Sequence, residues 1–372
     1  MTSRRILVVG NYPADQQQSM IRFADLLVRI YQPYGLVQLV RPAVLVAGLP
    51  GLPHLARKYL AYIDKLLLFP LWLGHQARSY QIVHIADHGN AFYAFLCPRR
   101  RCIVTCHDLL AVRGAMGDPS VACKASPIGI WLQKLILAGL RQPHAVAFVS
   151  EASRSDFHRL GGAPAHQRQA VILNPLNAPF TENIAFLELS ADEQTLLPNT
   201  PYLLMVGSSH PRKNRILALR VLQQLGSSAP YLLVFAGAPL APEEQAFIAA
   251  HHLSQKVVSI RRPSHALLNH LYGRAHALLF PSYAEGFGWP LIEAQACGCP
   301  VVASTTTSIP EVAGDAALYA DPNDVPAFRR HVLSLEDPDL RRHLIQLGFE
   351  NLRRFDPEEI SRQYINLALQ PA

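Results

Sequence analysis

Short runs of apolar residues alternate with longer segments of helical periodicity along the whole chain. Apolar runs bounded by glycine, proline or polar residues are typical of buried strands, and strands that alternate with helices indicate βαβ units and parallel sheets. The helices predicted with most support span 19–31, 216–225 and 290–297. The predicted strands span 6–9, 82–85, 103–106, 145–149, 171–173, 202–206, 231–236, 257–260, 277–280 and 301–303.

The pattern divides into two similar halves. A chain of 372 residues that is 50% hydrophobic is long enough for two cores. We expect an N-terminal α/β domain over 1–180, a linker over 181–200, and a C-terminal α/β domain over 201–350. The linker lies in the stretch 178–201, which contains prolines and small polar residues. Ligands of such proteins bind at the carboxyl edges of the sheets, so we expect a site between the domains.

The segment 281–302, P-S-Y-A-E-G-F-G-W-P-L-I-E-A-Q-A-C-G-C-P-V-V, is the most informative part of the chain. Glu285 follows the predicted strand 277–280, and Glu293 lies one turn into the helix 290–297. Two carboxylates in this position are suited to hold a polyhydroxylated ligand, and the glycines between them allow a close backbone approach. Alternatively, they are solvated acids that the helix dipole stabilises.

A second motif follows the predicted strand 202–206 and reads V-G-S-S-H-P-R-K-N-R. Arg212 and Lys213 stand directly before the helix 216–225. Two cations beside a helix N-terminus form an anion site, and a diphosphate uses both a lysine and an arginine fork. The alternative is a pair of solvated loop cations.

Polar residues also follow two strands of the first half. His107 and Asp108 come after the strand 103–106, where a histidine can act as a ligand or as a general base, although a lone histidine is often structural. Gln17, Gln18 and Ser19 come after the first strand. Ser19 is placed to cap the helix 19–31, and the glutamines are placed to donate hydrogen bonds to an acceptor or a phosphate.

The two motifs of the second half resemble those of the retaining nucleotide-sugar glycosyltransferases of family four, which have the GT-B fold. The E-x7-E signature matches Glu285 and Glu293, and the G-x5-K pattern matches Gly207 and Lys213. The similarity covers most of residues 80–325. It implies two Rossmann-like parallel-sheet domains that face each other across a cleft, and a terminal helix over 351–372 that packs back on the N-terminal domain.

The resemblance also implies roles for individual residues. Lys213 is expected to contact the donor diphosphate, and Arg212 to replace the arginine that many members carry at the position of Ser208. The catalytic residues expected are His107, Lys213 and Glu285. The chain departs from many relatives after its first strand, where it lacks their Gly-Gly loop and has Gln17, Gln18 and Ser19 instead. These three residues and Asp108 are the ones expected on the acceptor side. The donor-binding residues expected are Gly207, Ser208, Arg212, Lys213, Glu285, Gly286, Phe287, Gly288, Leu291 and Glu293.

The function predicted is therefore retaining transfer of a sugar from a nucleoside diphosphate sugar to a glycan or lipid-linked glycan. The R-K-N motif resembles that of family members that use mannosyl donors, so mannose is the sugar expected. No metal or other cofactor is expected, because the cations and the helix N-terminus stabilise the leaving diphosphate. The alternatives are a non-transferring GT-B enzyme, such as an epimerase or phosphorylase, and a catalytically silent glycan-binding scaffold.

Charge separates the halves: residues 1–190 carry 19 basic and 10 acidic side chains, whereas residues 191–372 carry 15 and 17. A basic surface fits anionic lipid better than nucleic acid here, since no nucleic-acid module is recognised. The segment 55–73 has the pattern of a basic amphipathic helix with Arg57, Lys58, Asp64 and Lys65 on its polar side. Arg57, Lys58, Lys65 and Trp72 are the predicted membrane-facing residues. The alternative is a helix that faces the core.

No apolar run approaches the roughly 20 residues that a membrane span requires, and the apolar stretch at the N-terminus is too short for a signal peptide. We therefore expect a cytoplasmic protein, with a peripheral position on the inner face of the membrane. The six cysteines and sixteen histidines show no metal-ligand spacing. Reduced thiols and no bound metal are expected.

Overall fold

The computed structural model describes residues 4–369 except 16, 52, 122, 124, 163, 184–187 and 227–228. The chain forms two compact units. The first comprises Met1–Gly117, Lys124–Leu173 and Pro357–Ala372, and the second comprises Asp118–Cys123 and Asn174–Asp356.

The first unit is built on a sheet of six parallel strands in the order β2-β1-β3-β4-β5-β6. Its central strands are buried on both faces, as a parallel sheet covered by helices requires. The strands are β1 (Arg4–Val9), β2 (Gly35–Val40), β3 (Ile82–Ile85), β4 (Cys102–Cys106), β5 (Ala145–Phe148) and β6 (Arg168–Val171). The helices are α1 (Gln18–Tyr31), α2 (His54–Ile63), α3 (Phe69–Gln76), α4 (Leu110–Ala115), α5 (Pro127–Leu140) and α6 (Glu151–Arg159).

The second unit repeats this plan with the strand order β12-β11-β10-β7-β8-β9, again all parallel. The strands are β7 (Tyr202–Gly207), β8 (Leu232–Gly237), β9 (Val257–Arg261), β10 (Ala277–Phe280), β11 (Val301–Ser304) and β12 (Ala317–Ala320). The helices are α7 (Ala191–Thr195), α8 (Arg215–Leu225), α9 (Pro242–Ala250), α10 (His265–Arg274), α11 (Trp289–Ala296), α12 (Ile309–Ala313), α13 (Val325–Ser334) and α14 (Pro338–Asn351).

The last helix, α15 (Pro357–Leu369), packs into the core of the first unit. Its buried Ile360 and Tyr364 belong to the same cluster as Val8 and Phe23. The returning helix begins at Pro357 rather than at residue 351, because α14 and a 3₁₀ turn over Leu352–Phe355 continue the second unit to Asp356. Proline is favoured in the first turn of a helix, where its missing N–H has no intrahelical partner.

The boundary between the units falls after Leu173, earlier than the predicted linker. The stretch that follows is tied to the second unit, since the side chain of Asn269 accepts from the N–H of Thr181 (3.0 Å) and donates to its carbonyl (2.8 Å). Within the predicted linker, α7 forms a short helix with Ser190 and Glu193 as a capping box.

The sequence pattern missed β2 and β12. It also placed the strand β6 at 171–173, three residues later than its observed start at Arg168. All three strands, β2, β6 and β12, lie at edges of their sheets. The edge strand β6 is half-buried throughout and starts with Arg168 and Gln169. Edge strands are partly solvated and do not need a continuous apolar run, so hydrophobic periodicity does not detect them.

The predicted amphipathic helix 55–73 is in fact two helices, α2 and α3, joined by a π-helical turn over Asp64–Leu68. Asp64 was expected on the solvated side, but it is 1% exposed. Its carboxylate accepts hydrogen bonds from the N–H groups of Leu45, Val46 and Ala47 and from the hydroxyl of Tyr12, at 2.9–3.2 Å. Burial alone would raise the pKa of Asp64, but these donors hold it below its ordinary value.

We expect Asp64→Ala to lower the free energy of unfolding of the first unit by about 3 kcal/mol, because several buried donors lose their acceptor. The lowered pKa means that this stabilisation is complete above the ordinary aspartate pKa and is lost as the pH falls through the folded-state pKa. Urea unfolding followed by tryptophan fluorescence at pH near 7 and near 3 measures both effects.

Asp25→Ala is the matched control. Asp25 forms an exposed ion pair with Arg41 (2.9 Å), so its loss should cost less than about 1 kcal/mol. If Asp64→Ala is as stable as the control at neutral pH, the buried hydrogen bonds of Asp64 to the loop Leu45–Ala47 do not stabilise the first unit.

Candidate functional site

The two motifs of the second unit meet at the carboxyl edge of its sheet. β7 and β10 are neighbouring strands, with Ala277 opposite Leu203, so the loops that follow them are adjacent. Lys213 Nζ lies 2.7 Å from Glu285 Oε1, and Arg212 Nη1 lies 2.5 Å from Glu285 Oε2. The structure therefore brings together two cations and an acid that lie more than 70 positions apart in the chain.

This ion-pair cluster is buried. Lys213 and Glu285 are 8% and 5% exposed. Burial would raise the pKa of Glu285, but the charges of Lys213 and Arg212 hold it below its usual value. Burial lowers the pKa of Lys213, and Glu285 partly offsets that effect. The acid remains ionised, and the cluster can exchange its internal partners for an anionic ligand.

The second acid, Glu293, lies on α11 and is also buried. Asn177 donates to its Oε1 at 2.9 Å and the hydroxyl of Tyr272 donates to its Oε2 at 2.8 Å. These two partners fix the orientation of the carboxylate. Sequence reasoning missed both partners, because neither lies near Glu293 in the chain.

The Gly-Phe-Gly turn between the acids is held by its neighbours. The Ser308 hydroxyl lies 2.9 Å and 3.0 Å from the carbonyls of Glu285 and Phe287. Gly288 begins α11 with φ of +103°, and a Cβ there would lie 2.9 Å from Leu291 Cδ1. Only glycine is compatible with that conformation and spacing. Leu291 is fully buried and supports the turn. Ser208, which was predicted to bind the donor, lies in the other loop, after β7, and is exposed.

Asn214 is part of the R-K-N motif, but the sequence analysis gave it no role in the site. It has a left-handed conformation (φ +53°) between the 3₁₀ turn Pro211–Lys213 and α8. Its side chain donates to the carbonyls of Pro281 (3.1 Å) and Pro322 (2.7 Å). Asn214 thus ties the loop that carries Lys213 to the end of β10.

In the first unit, His107 and Asp108 follow β4 and lie beside Asp87 and His88, which follow β3. His88 Nδ1 is 3.1 Å from Asp87 Oδ1, and its Nε2 is 4.0 Å from Asp108 Oδ1. Burial would lower the pKa of His88, but the two carboxylates raise it. The sequence contained a signal for Asp87 and His88, since they too come directly after a predicted strand.

His107 is buried, and burial lowers its pKa. Its Nε2 lies 2.9 Å from the carbonyl of Ala86, and its ring packs edge-on against Phe23. A carbonyl can only accept, so Nε2 carries the hydrogen and Nδ1 is the basic nitrogen of a neutral ring.

Of the residues predicted on the acceptor side, Gln17 lines a cavity of about 200 Å³ in the first unit. Gln17 Oε1 accepts from Asn11 Nδ2 at 2.5 Å, and Asn11 also donates to Asp87. Ser19 is exposed inside the first turn of α1 and does not cap it, because the helix already begins at Gln18. The side chain of Gln18 lies outside the described residues.

The cavity is lined by both polar and apolar side chains. The polar and charged ones are Asn11, Asp15, Gln17, Lys65, Asp87, Asn90 and Gln133, and the aromatic and apolar ones are Tyr62, Leu66, Phe92, Leu132 and Ile136. Amide and carboxylate groups combined with aromatic rings are suited to bind a sugar ring.

The predicted membrane-facing residues differ in their surroundings. Arg57 is exposed and Trp72 is 42% exposed. Lys65, however, pairs with Asp15 at 3.1 Å and lines the cavity, so it is not a free surface cation. The side chain of Lys58 lies outside the described residues.

The residues that the structure describes contain neither a group of metal ligands nor a membrane-spanning helix. Among them, no three histidine, cysteine or acidic side chains are grouped as metal ligands. Independence of metal remains a prediction. No helix in the same part of the chain combines the length and the apolar character that a bilayer span needs.

Known glycosyltransferases are similar to this chain in sequence. The family model for glycosyl transferases group 1 matches residues 189–350. The O-antigen chain mannosyltransferase B of Escherichia coli is 30% identical over 287 residues, which span 75% of this chain and 72% of that protein. The O-antigen chain mannosyltransferase RfbU of Salmonella typhimurium is 33% identical over 36% of this chain and 38% of its own length.

Solved structures share the fold at lower identity. Sucrose-phosphate synthase from Thermosynechococcus elongatus superposes with a TM-score of 0.71 at 19% identity, over 98% of both chains. WaaG, a glycosyltransferase involved in lipopolysaccharide biosynthesis, gives 0.68 at 14% identity over 98% of this chain and 99% of its own.

Two parallel α/β units, with a Lys–Arg–Glu cluster at the carboxyl edge of the second sheet, define a glycosyltransferase of the GT-B fold. The chain belongs to the glycosyl transferases group 1 family. The family and the fold class predicted from the sequence are confirmed.

We expect Asn214→Ala to destabilise the second unit by about 2–4 kcal/mol. The left-handed conformation costs alanine about 1–2 kcal/mol, and two buried carbonyls lose their donor. Asn214→Gly removes the same donor but accepts the conformation, so it should be less destabilised by about 1 kcal/mol. Thermal unfolding of both variants separates the two effects. Equal stability of the Ala and Gly variants would show that the backbone conformation carries no cost.

Proposed function

We propose that the chain transfers a sugar from a nucleoside diphosphate sugar to a glycan acceptor with retention of anomeric configuration. The observation that carries this proposal is the buried contact of Lys213 and Arg212 with Glu285. A cation pair that already holds an oxyanion in a dry site is preorganised for the charge of a leaving diphosphate.

In this mechanism the donor diphosphate takes the place of the Glu285 carboxylate on the two cations. Lys213 acts as a point charge and Arg212 as a planar fork, and the N-terminus of α8 directly behind them adds its positive dipole. Glu285, released from these partners, accepts hydroxyl groups of the donor sugar. Glu293, oriented by Asn177 and Tyr272, holds the ribose.

Retention follows from attack on the face that the diphosphate leaves. The acceptor hydroxyl forms the new bond to the anomeric carbon while the bond to the diphosphate oxygen breaks, and that oxygen takes the acceptor's proton. His107 assists from the first unit as a neutral ring with its basic nitrogen at Nδ1. No step of this path requires a metal ion.

The acceptor is a glycan whose terminal sugar enters the cavity of the first unit. The name of the Escherichia coli relative, O-antigen chain mannosyltransferase B, supports mannose as the transferred sugar and a glycan chain as the acceptor. We propose a lipid-linked glycan at the inner face of the membrane as that acceptor. HepE from Anabaena has been solved with UDP and glucose, which supports a nucleotide-sugar donor without fixing the base.

The test of the phosphate site is Lys213→Ala. Loss of a cation aimed at developing charge should lower kcat by about 10²–10³. Arg212→Ala should cost less, because Arg212 is the more exposed of the two side chains. Initial rates of nucleoside diphosphate release give these values, with saturating acceptor and with the nucleoside diphosphate mannose that most stabilises the chain in a thermal screen as saturating donor.

Arg220→Ala is the control, since Arg220 is exposed on the same unit away from the cluster. Near-normal turnover of Lys213→Ala at saturating donor would overturn the assignment. Release of diphosphate that does not depend on an acceptor would instead favour a non-transferring enzyme.

Stereochemistry and metal independence are tested together. We expect NMR of the product to show the same anomeric configuration as the donor, and we expect full activity in excess chelator because the cations supply the charge that a metal would supply. An inverted product would contradict the retaining path. Loss of activity in chelator that a divalent ion restores would contradict the metal-free mechanism.

A further inference from the structure

Large apolar side chains are exposed almost entirely on the first unit. Among the described residues, Leu196 is the one exposed large apolar side chain of the second unit. Five exposed side chains of the first unit follow one helical run and are called the apolar ridge: Tyr59, Ile63, Leu67, Leu71 and Trp72.

The ridge lies opposite the face of α2 and α3 that packs in the core. Asp64, Phe69 and Leu73 of the same run are buried and hold the run against the first unit, so the ridge residues are not needed for that packing. The first four ridge residues are spaced four apart, and such a row drifts slowly around an α-helix of 3.6 residues per turn. The wider π-helical turn at Asp64–Leu68 counteracts that drift and keeps the row on one side.

The ridge continues onto the segment next to α3. A Cβ placed on Gly74 would lie 3.5 Å from the Cβ of Leu96. Leu96 and its neighbour Phe95 are both exposed. The apolar surface therefore extends from α2 across α3 to the end of the 3₁₀ segment His88–Leu96.

Exposed arginines follow α3 in a stretch of the chain whose one acidic residue is buried. Residues 66–106 contain Arg78, Arg99, Arg100 and Arg101, all exposed, whereas their one acid, Asp87, is buried. Arg101 Nη1 lies 3.2 Å from the carbonyl of Tyr80, which places the triple arginine beside the end of α3.

We infer that the apolar ridge, together with these arginines, binds the surface of an anionic lipid bilayer. An exposed apolar row with a tryptophan enters the boundary between headgroups and acyl chains, and arginines around it attract anionic headgroups. This surface differs from the predicted one, since its charge comes from the residues after α3 and not from Lys65. It is independent of the transfer reaction.

The experiment measures binding of the full chain to phosphatidylcholine vesicles with and without phosphatidylglycerol, at low and high salt. Wild-type protein should bind the anionic vesicles and release them as salt rises. Arg78→Glu with Arg100→Glu should weaken binding at least about thirtyfold, the effect of losing two surface cations. Leu71→Gln should weaken it about tenfold, as expected when one leucine no longer enters the apolar layer.

Matched controls lie on the second unit. Arg220→Glu with Arg330→Glu makes the same charge change at exposed positions, and Leu196→Gln removes its exposed leucine. Both should bind vesicles like wild type. The inference is overturned if wild type ignores anionic vesicles at low salt, or if the ridge variants bind as well as the controls. It is also overturned if sedimentation without lipid shows a dimer that Leu71→Gln dissociates, because the ridge would then be a protein interface.

Discussion

Glu285 carries a buried negative charge that the second unit can hold only because Arg212 and Lys213 lie against it. Removing one partner from a buried ion pair leaves an uncompensated charge, which costs about 3–5 kcal/mol. The loops after β7 and β10 are therefore coupled: neither can move away without exposing a charge of the other to an apolar environment. Most other features of the site serve to keep these two loops in contact.

The supporting residues act on the backbone rather than on the charges. Asn214 takes a left-handed conformation so that its amide can reach the end of β10, and Ser308 holds the turn after Glu285. Gly288 then allows α11 to start where its first turn meets Leu291. Strain at such positions persists only when the surroundings determine it strongly, as they do here. The site is thus rigid where the charges sit.

Sequence reasoning reached the parts of the protein that depend on local pattern. Buried central strands must be apolar throughout, so the strands before and after Lys213 and Glu285 could be predicted from the sequence. The loops that carry these two residues, and the helices that follow the loops, could then be placed between the strands. Long-range polar contacts could not. Nothing near Asp64 in the chain shows that its carboxylate would cap the loop at Val46, and nothing near Glu293 points to Tyr272. In the sequence, acidic residues of this kind resemble solvated surface residues, because their hydrogen-bond donors come from distant parts of the chain.

The helical run that carries the apolar ridge also forms part of the cavity in the first unit. Tyr62 and Leu66 line the cavity, while Ile63 and Leu67, one position along, belong to the ridge. Adjacent positions on a helix face directions about 100° apart, so one run presents one side to the cavity and another to solvent. If both proposals hold, a lipid-carried glycan meets both surfaces, its apolar carrier at the ridge and its sugar in the cavity. The second unit, which holds the charge cluster, has no comparable apolar surface among its described residues, so the two proposals place donor chemistry and lipid contact on different units.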